Sequence, residues 1–359
     1  MQFSITAHTK IDNWEIFPYV ENLGFDAAWV PDSQMIWSDC YATLALAAQH
    51  TSRLRIGTGV AIPGTRIAPV TAHSIASINR LAPGRTFLGV GTGHTAMRVM
   101  GMQPMKVRDF REYLRVVRTL LRGGEVEYTL NGTTRTIKFL HQDLKFIDLE
   151  QPIPIYVAAN GPLALRTAGE FGDGLVSLFN EQGEVLQANV GRVQAGAERA
   201  GRTLPENFHT TALTTAVVLK PGEDLTSDRV IEACGSWVTC ALHFVYEIYE
   251  QTGDESTVPE AFQDVWEEYR DQVENMETSQ AKRYLQIHDG HCTYHVPEER
   301  KFITPKTIKG SCMVGEPDEL IAAIRQAEQA GLREISLLPP LKTSREVYKD
   351  FAEQVIAKY

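Results

Sequence analysis

No stretch of these 359 residues approaches the roughly 18 consecutive apolar residues of a membrane-crossing helix. The opening "MQFSITAHTK" is too polar, and its apolar part too short, for a signal peptide. Excess basic charge is lacking too. Lys and Arg number 35 against 45 Asp and Glu, a net charge of −10, with no basic block interleaved with aromatics. That balance excludes a protein built to track a phosphate backbone, so neither nucleic acid nor membrane is an expected partner. Cysteine is sparse. Cys40, Cys234, Cys240, Cys292 and Cys312 are an odd number in a long chain, which excludes a disulfide framework and reads as reduced thiols in a cytoplasm. Internal repeats and low-complexity runs are also missing. What is present is 43% hydrophobic residues, 27 Gly and 17 Pro, the profile of a globular chain with ample core.

Short apolar strands alternate with amphipathic helices. Strands are expected at 3–7, 26–30, 54–62, 85–92, 153–159, 174–179, 209–218 and 334–338. Helices are expected between them, among them 14–24, 41–50, 69–81, 107–123 and 182–201, and a hairpin at 124–139 around Asn131–Gly132. Eight such units predict an α/β fold, a (β/α)₈ TIM barrel formed by residues 1–359 as a single domain. An open doubly wound sheet is the alternative. Residues 230–312 form a helical insertion before the last strand, placed to serve as a lid or as a subunit interface in a homodimer.

Two strands end in glycine-rich turns where a barrel carries its active site. Gly91-Thr92-Gly93-His94 follows the fourth, and Ala159-Asn160-Gly161-Pro162 the fifth. Bare backbone lets N–H groups approach an anion, and Pro162 suits a first helical turn behind it. The pair suggests one phosphorylated cofactor lying across the barrel mouth; tight structural turns are the plainer reading. The match of residues 91–96 to the dinucleotide pattern G-x-G-x-x-A is weak, because three βα units precede it and no acidic residue follows at the required distance.

The blocks "LGFDAAWVPDSQMIW", "LRIGTGVAIPGTRIAPVTAHSIASINRLAPGRTFLGVGTGH", "PIPIYVAANGPLALRTAGEFGDGLV" and "GEPDELIAAIRQAEQAGLREISLLP" resemble the luciferase-like flavin oxidoreductases. That family includes bacterial luciferase, alkanesulfonate monooxygenase and the deazaflavin-dependent reductases. The resemblance implies a barrel with FMN or the deazaflavin coenzyme F-420 at its mouth. It implies a non-prolyl cis peptide at Gly59–Val60, cofactor contacts from Gly91, Thr92, Gly93 and His94, and a phosphate turn at Asn160, Gly161 and Pro162. It puts Asp32 near the ring and Trp37 in the substrate pocket. Two departures stand out. Ser33 lies where several deazaflavin members carry histidine. His94 lies where the glucose-6-phosphate dehydrogenase branch has glutamate, which argues against a sugar phosphate.

The expected activity is therefore oxygenation of a small organic substrate by reduced FMN and O₂, the FMN delivered by a separate flavin reductase. The alternatives are hydride transfer with F-420, or flavin binding without turnover. His94 and His8 are the candidate proton-transfer residues, since an ordinary imidazole titrates near pH 6.5. In "HDGHCTYH", His288 and His291 are candidates for the pocket or lid. His288, His291, Cys292 and His295 fall on one face if that stretch is helical, but no second cluster of ligands is evident in the sequence, so no metal is assigned.

Overall fold

The structure is a computed structural model that describes residues 1–178 and 183–359. Eight parallel strands close into a barrel: β1 (Gln2–Thr6), β2 (Ala27–Val30), β3 (Arg55–Ala61), β4 (Thr86–Val90), β5 (Ile155–Ala158), β6 (Gly174–Leu178), β7 (His209–Thr214) and β8 (Glu334–Leu337). Closure is made by β1 on β8, with Phe3 opposite Ile335 and Ile5 opposite Leu337. The expected end of β6 at Phe179 and the expected helix start at residue 182 lie outside the described residues.

The period-two alternation of each strand sorts side chains between two cores. Phe3, Ile5, Ile335 and Leu337 point outward into the helical layer and are buried there. Ser4, Thr6, Glu334 and Ser336 alternate with them, and Thr6 meets Ser336 at 2.9 Å across the β1–β8 seam. Trp29, Phe87 and Tyr156 fill the barrel axis with Ala27. The helix Val107–Leu121 shows why the outer layer forms. Phe110, Leu114, Val117 and Leu121 recur at three- and four-residue steps and are buried on one stripe. Burying each such side chain contributes about 1.5–3 kcal/mol.

Two expectations are corrected. The strand expected at 209–218 breaks after Thr214. Ala216–Val218 leaves the barrel and pairs in parallel with Met313–Gly315, a strand the sequence reading missed. The insertion starts slightly earlier than expected, with the helix Asp228–Thr252. The insertion has its own core, in which Trp237, Leu242, Tyr246, Trp266, Tyr269 and Phe302 are buried. The hairpin expected at 124–139 is present, Val126–Leu130 against Thr133–Ile137. No helix among the described residues is long and apolar enough to cross a membrane.

Candidate active site

The residues after the strand ends gather around the C-terminal mouth of the barrel, and the loop at 288–295 lies over them. Four ties hold that loop. His8, after β1, donates from Nε2 to the Cys292 carbonyl at 3.0 Å. Trp37, after β2, donates from its indole N–H to Thr293 Oγ1 at 3.2 Å. Thr95 Oγ1, after β4, lies 3.3 Å from His291 Nε2. The Leu341 N–H, after β8, donates to the Thr293 carbonyl at 3.0 Å. Ties to residues after four separate strands hold this loop, which carries His288 and His291, over the mouth.

The two candidate proton carriers differ. His94 opens the short helix His94–Arg98; it is exposed, with Phe244 edge-on at 5.9 Å. Crowding by protein, and then Arg98, lower its pKa from the ordinary 6.5, so it is a neutral base at neutral pH. His8 is buried, and burial pushes its pKa down to about 4, with the Cys292 bond opposing only in part. With its Nε2 N–H committed to the Cys292 carbonyl, His8 positions the loop at 288–295. Trp37 packs edge-on against the His8 ring at 6.0 Å.

Asp32 is buried after β2 but engaged. Arg66 donates to its Oδ1 at 2.6 Å and Gln34 to the same oxygen at 2.7 Å. Burial raises its pKa, and the Arg66 bond works against that rise. Its carboxylate thus ties the β2 and β3 loops together.

The glycines need a revised explanation. The Gly59–Val60 peptide is cis, and the β3–β4 register shifts there, between Thr58 and Ala61. A Cβ on Gly59 would lie 2.6 Å from the Trp29 side chain, and one on Gly89 only 2.2 Å from the Thr58 carbonyl oxygen. A Cβ on Gly91 would crowd Val60 and Ala158 at 3.1 and 3.2 Å. Gly93 has φ +92°, a left-handed conformation that favours glycine, and is hemmed by Met97 and Ile62. These four are bare for reasons internal to the chain, so their lack of side chains says nothing about a ligand. Gly161 differs: nothing among the described residues lies within 4 Å of an added Cβ, and Asn160, Gly161 and Pro162 are exposed, with Ala159 buried behind them. The helix Pro162–Phe171 begins there, its first bond running from the Leu165 N–H to the Gly161 carbonyl. The N–H groups of Leu163 and Ala164 therefore have no intrahelical acceptor. At the mouth end of β2, Gln34 Oε1 is buried and unpartnered.

Under the lid lies a cluster the sequence reading did not assemble. Cys240, His243 and Glu247 fall at i, i+3 and i+7 on the helix Asp228–Thr252, one face of it. They meet His288, His291 and Cys292 of the loop. That loop is irregular rather than helical: the helix before it ends at Ile287, and Gly290 and Cys292 have φ +74° and +54°. Glu247 pairs with His288 at 3.1 Å and with Arg98 at 3.2 Å, clamping the lid to the segment after β4. The i, i+3, i+7 spacing was the available signal; the aromatic residues around it gave it the look of plain core.

A model of the family described as luciferase-like monooxygenase matches residues 7–334. The 5,10-methylenetetrahydromethanopterin reductase of Methanolobus tindarius is 36% identical over 186 residues, 51% of this chain and 54% of that protein. The chain thus spans about half the length of that relative. The F420-dependent glucose-6-phosphate dehydrogenase of Gordonia bronchialis is 30% identical over 316 residues, 80% of this chain and 89% of that protein. The solved coenzyme F420-dependent tetrahydromethanopterin reductase of Methanopyrus kandleri superposes with TM-score 0.68 over 100% of this chain and 99% of that one, at 21% identity, a likeness of fold.

Proposed function

The chain belongs to the luciferase-like monooxygenase family, and we propose that it is an oxidoreductase moving a hydride between a small organic substrate and a deazaflavin of the F-420 type held at the barrel mouth. The observation that carries this reading is the similarity to the two relatives above, one named for reduction of a methylene-pterin and one for F420 dependence. It reverses the order expected from the sequence, in which FMN and O₂ came first.

The mouth fits such a group. The exposed Asn160–Pro162 turn, open in front of Gly161, offers the N–H groups of Leu163 and Ala164 to a phosphate. The buried, unpartnered Gln34 Oε1 offers an acceptor to a polar ring edge. When bound, the cofactor supplies or accepts the hydride. The chain's own residues do the rest. Trp37 and the 288–295 loop wall the mouth against water. His94, neutral and exposed, takes or returns the substrate proton at a ring nitrogen. His8 and the Arg98–Glu247–His288 clamp hold the cover in place.

The test is to titrate the full chain with F-420 and with FMN, then follow O₂ during turnover of each. Tighter binding of F-420 and oxidation of its reduced form by carbonyl or imine substrates without O₂ uptake are expected. Binding of FMN alone, with O₂ consumed, would return the chain to the monooxygenase reading.

A further inference from the structure

Beneath the lid, Cys292 Sγ lies 3.1 Å from Cys240 Sγ, and Cys240 Sγ lies 3.4 Å from His291 Nε2. The three donor atoms are all within 4.8 Å of one another. His291 Nδ1 faces His243 Nδ1 at 3.4 Å, and His243 Nε2 meets Glu299 Oε1 at 2.9 Å. A carboxylate only accepts, so His243 donates from Nε2 and its neutral ring accepts at Nδ1 from the His291 N–H. That order leaves the His291 Nε2 lone pair facing Cys240 Sγ at 3.4 Å and the Thr95 hydroxyl at 3.3 Å. His291, Cys292 and His243 are buried and Cys240 partly so, and Glu299 Oε2 has no partner among the described residues.

We propose that Cys240, Cys292 and His291 Nε2 bind a thiophilic divalent cation of the Zn²⁺ class, with His243 and Glu299 orienting the His291 ring from behind and a fourth position open toward the Thr95 hydroxyl. A tetrahedral zinc with Zn–S near 2.3 Å and Zn–N near 2.0 Å keeps its donors roughly 3.3–3.8 Å apart. The Cys240–Cys292 and Cys240–His291 spacings of 3.1 and 3.4 Å are close to that, with Cys292 Sγ and His291 Nε2 within 4.8 Å, and the cation would spread the two sulfurs by roughly half an ångström. Two thiolates select a soft ion over calcium or magnesium. The charge balances because each cation bound releases the two thiol protons. A histidine backed by a second hydrogen-bonded group is the arrangement that fixes a metal-ligating ring. The site joins helix Asp228–Thr252 to the cover loop, so the cation would staple the lid across the mouth beside Thr95.

The proposal stands apart from the choice of redox cofactor, and its test needs no activity. The full chain, purified under reducing conditions without chelator, is analysed for metal and then titrated as apoprotein with Co²⁺. Close to one equivalent of zinc per chain and a thiolate-to-cobalt charge-transfer band are expected. Cys240→Ser and Cys292→Ser should lose the band, whereas Cys40→Ser, a thiol bonded to the Val30 carbonyl in the barrel, should keep it. Glu299→Gln should keep the band and weaken affinity about 10–100-fold. No zinc and no cobalt band in the reduced wild-type chain would overturn the site without reference to any variant. So would a Cys240–Cys292 disulfide whose reduction restores no metal uptake.

Discussion

The barrel axis and the lid each bury a histidine against a carboxylate, and they treat that carboxylate in opposite ways. At the axis, Glu334 accepts from Ser4 Oγ at 2.6 Å, Trp29 Nε1 at 2.6 Å and His209 Nε2 at 2.7 Å. Burial would raise its pKa, but the His209, Ser4 and Trp29 bonds more than offset that and hold it below the usual glutamate range. In the lid, Glu299 accepts at one oxygen from His243 and leaves the other unpartnered. Burial there lowers the His243 pKa despite its carboxylate. Beside it, the Cys292 sulfur and burial push the Cys240 thiol well up. A closed network of this kind rigidifies, whereas one with a buried acceptor left over holds its members less tightly.

The sharpest way to break the comparison is to remove each carboxylate. Glu334→Leu leaves Ser4, Trp29 and His209 without their acceptor and should cost about 3–5 kcal/mol in denaturant unfolding. Glu299→Gln should cost no more than about 1 kcal/mol, because only one bond is altered. If the two losses come out equal, the distinction between a closed network and one with an acceptor left over fails. His94→Ala, at the mouth rather than in either network, should slow turnover by about 10²–10⁴-fold while cofactor titration is unchanged. An undiminished rate would move the proton step away from the β4 turn.

Smaller effects separate glycines that serve packing from those that face open space. Gly89→Ala puts a Cβ 2.2 Å from the Thr58 carbonyl and 2.7 Å from the Trp29 ring, and should cost about 1–3 kcal/mol in stability. Gly161→Ala meets nothing within 4 Å among the described residues and should change stability by less than about 0.5 kcal/mol, while weakening the binding of a phosphorylated cofactor. The acid limb of stability refines the picture last. The folded pKa of Glu334 lies below its ordinary 4.5, and that of Asp173 below 3.8; burial of Asp173 is outweighed by its bonds from Arg118. Their stabilisation is therefore fully present above those ordinary values and is lost as pH falls through the folded ones. Melting temperature should drop on acidification below about pH 4.5, and Glu334→Gln should flatten that drop.

The barrel was legible in the residues because it rests on local periodicity. Alternating strands such as Gln2–Thr6 and Glu334–Leu337, and helices striped like Val107–Leu121, carry their pattern in adjacent residues. The turn at Asn160–Pro162 was legible because it follows a strand end, and Trp37 because its segment resembles the family. His8 also follows a strand end, yet its use depends on a partner, Cys292, 284 residues away.

By itself, then, the sequence determined the eight βα units, the family pattern around residues 54–94 and the place of the insertion, all of them properties of neighbours along the chain. Only the tertiary structure decided what Gly57 and Gly89 are for, since the atoms a Cβ would strike belong to adjoining strands. It alone brought Cys240 to His291 and Cys292, 51 and 52 residues on. Helical spacing sets which face of Asp228–Thr252 carries Cys240 and His243, but what packs on that face depends on how the cover loop folds back over the barrel mouth.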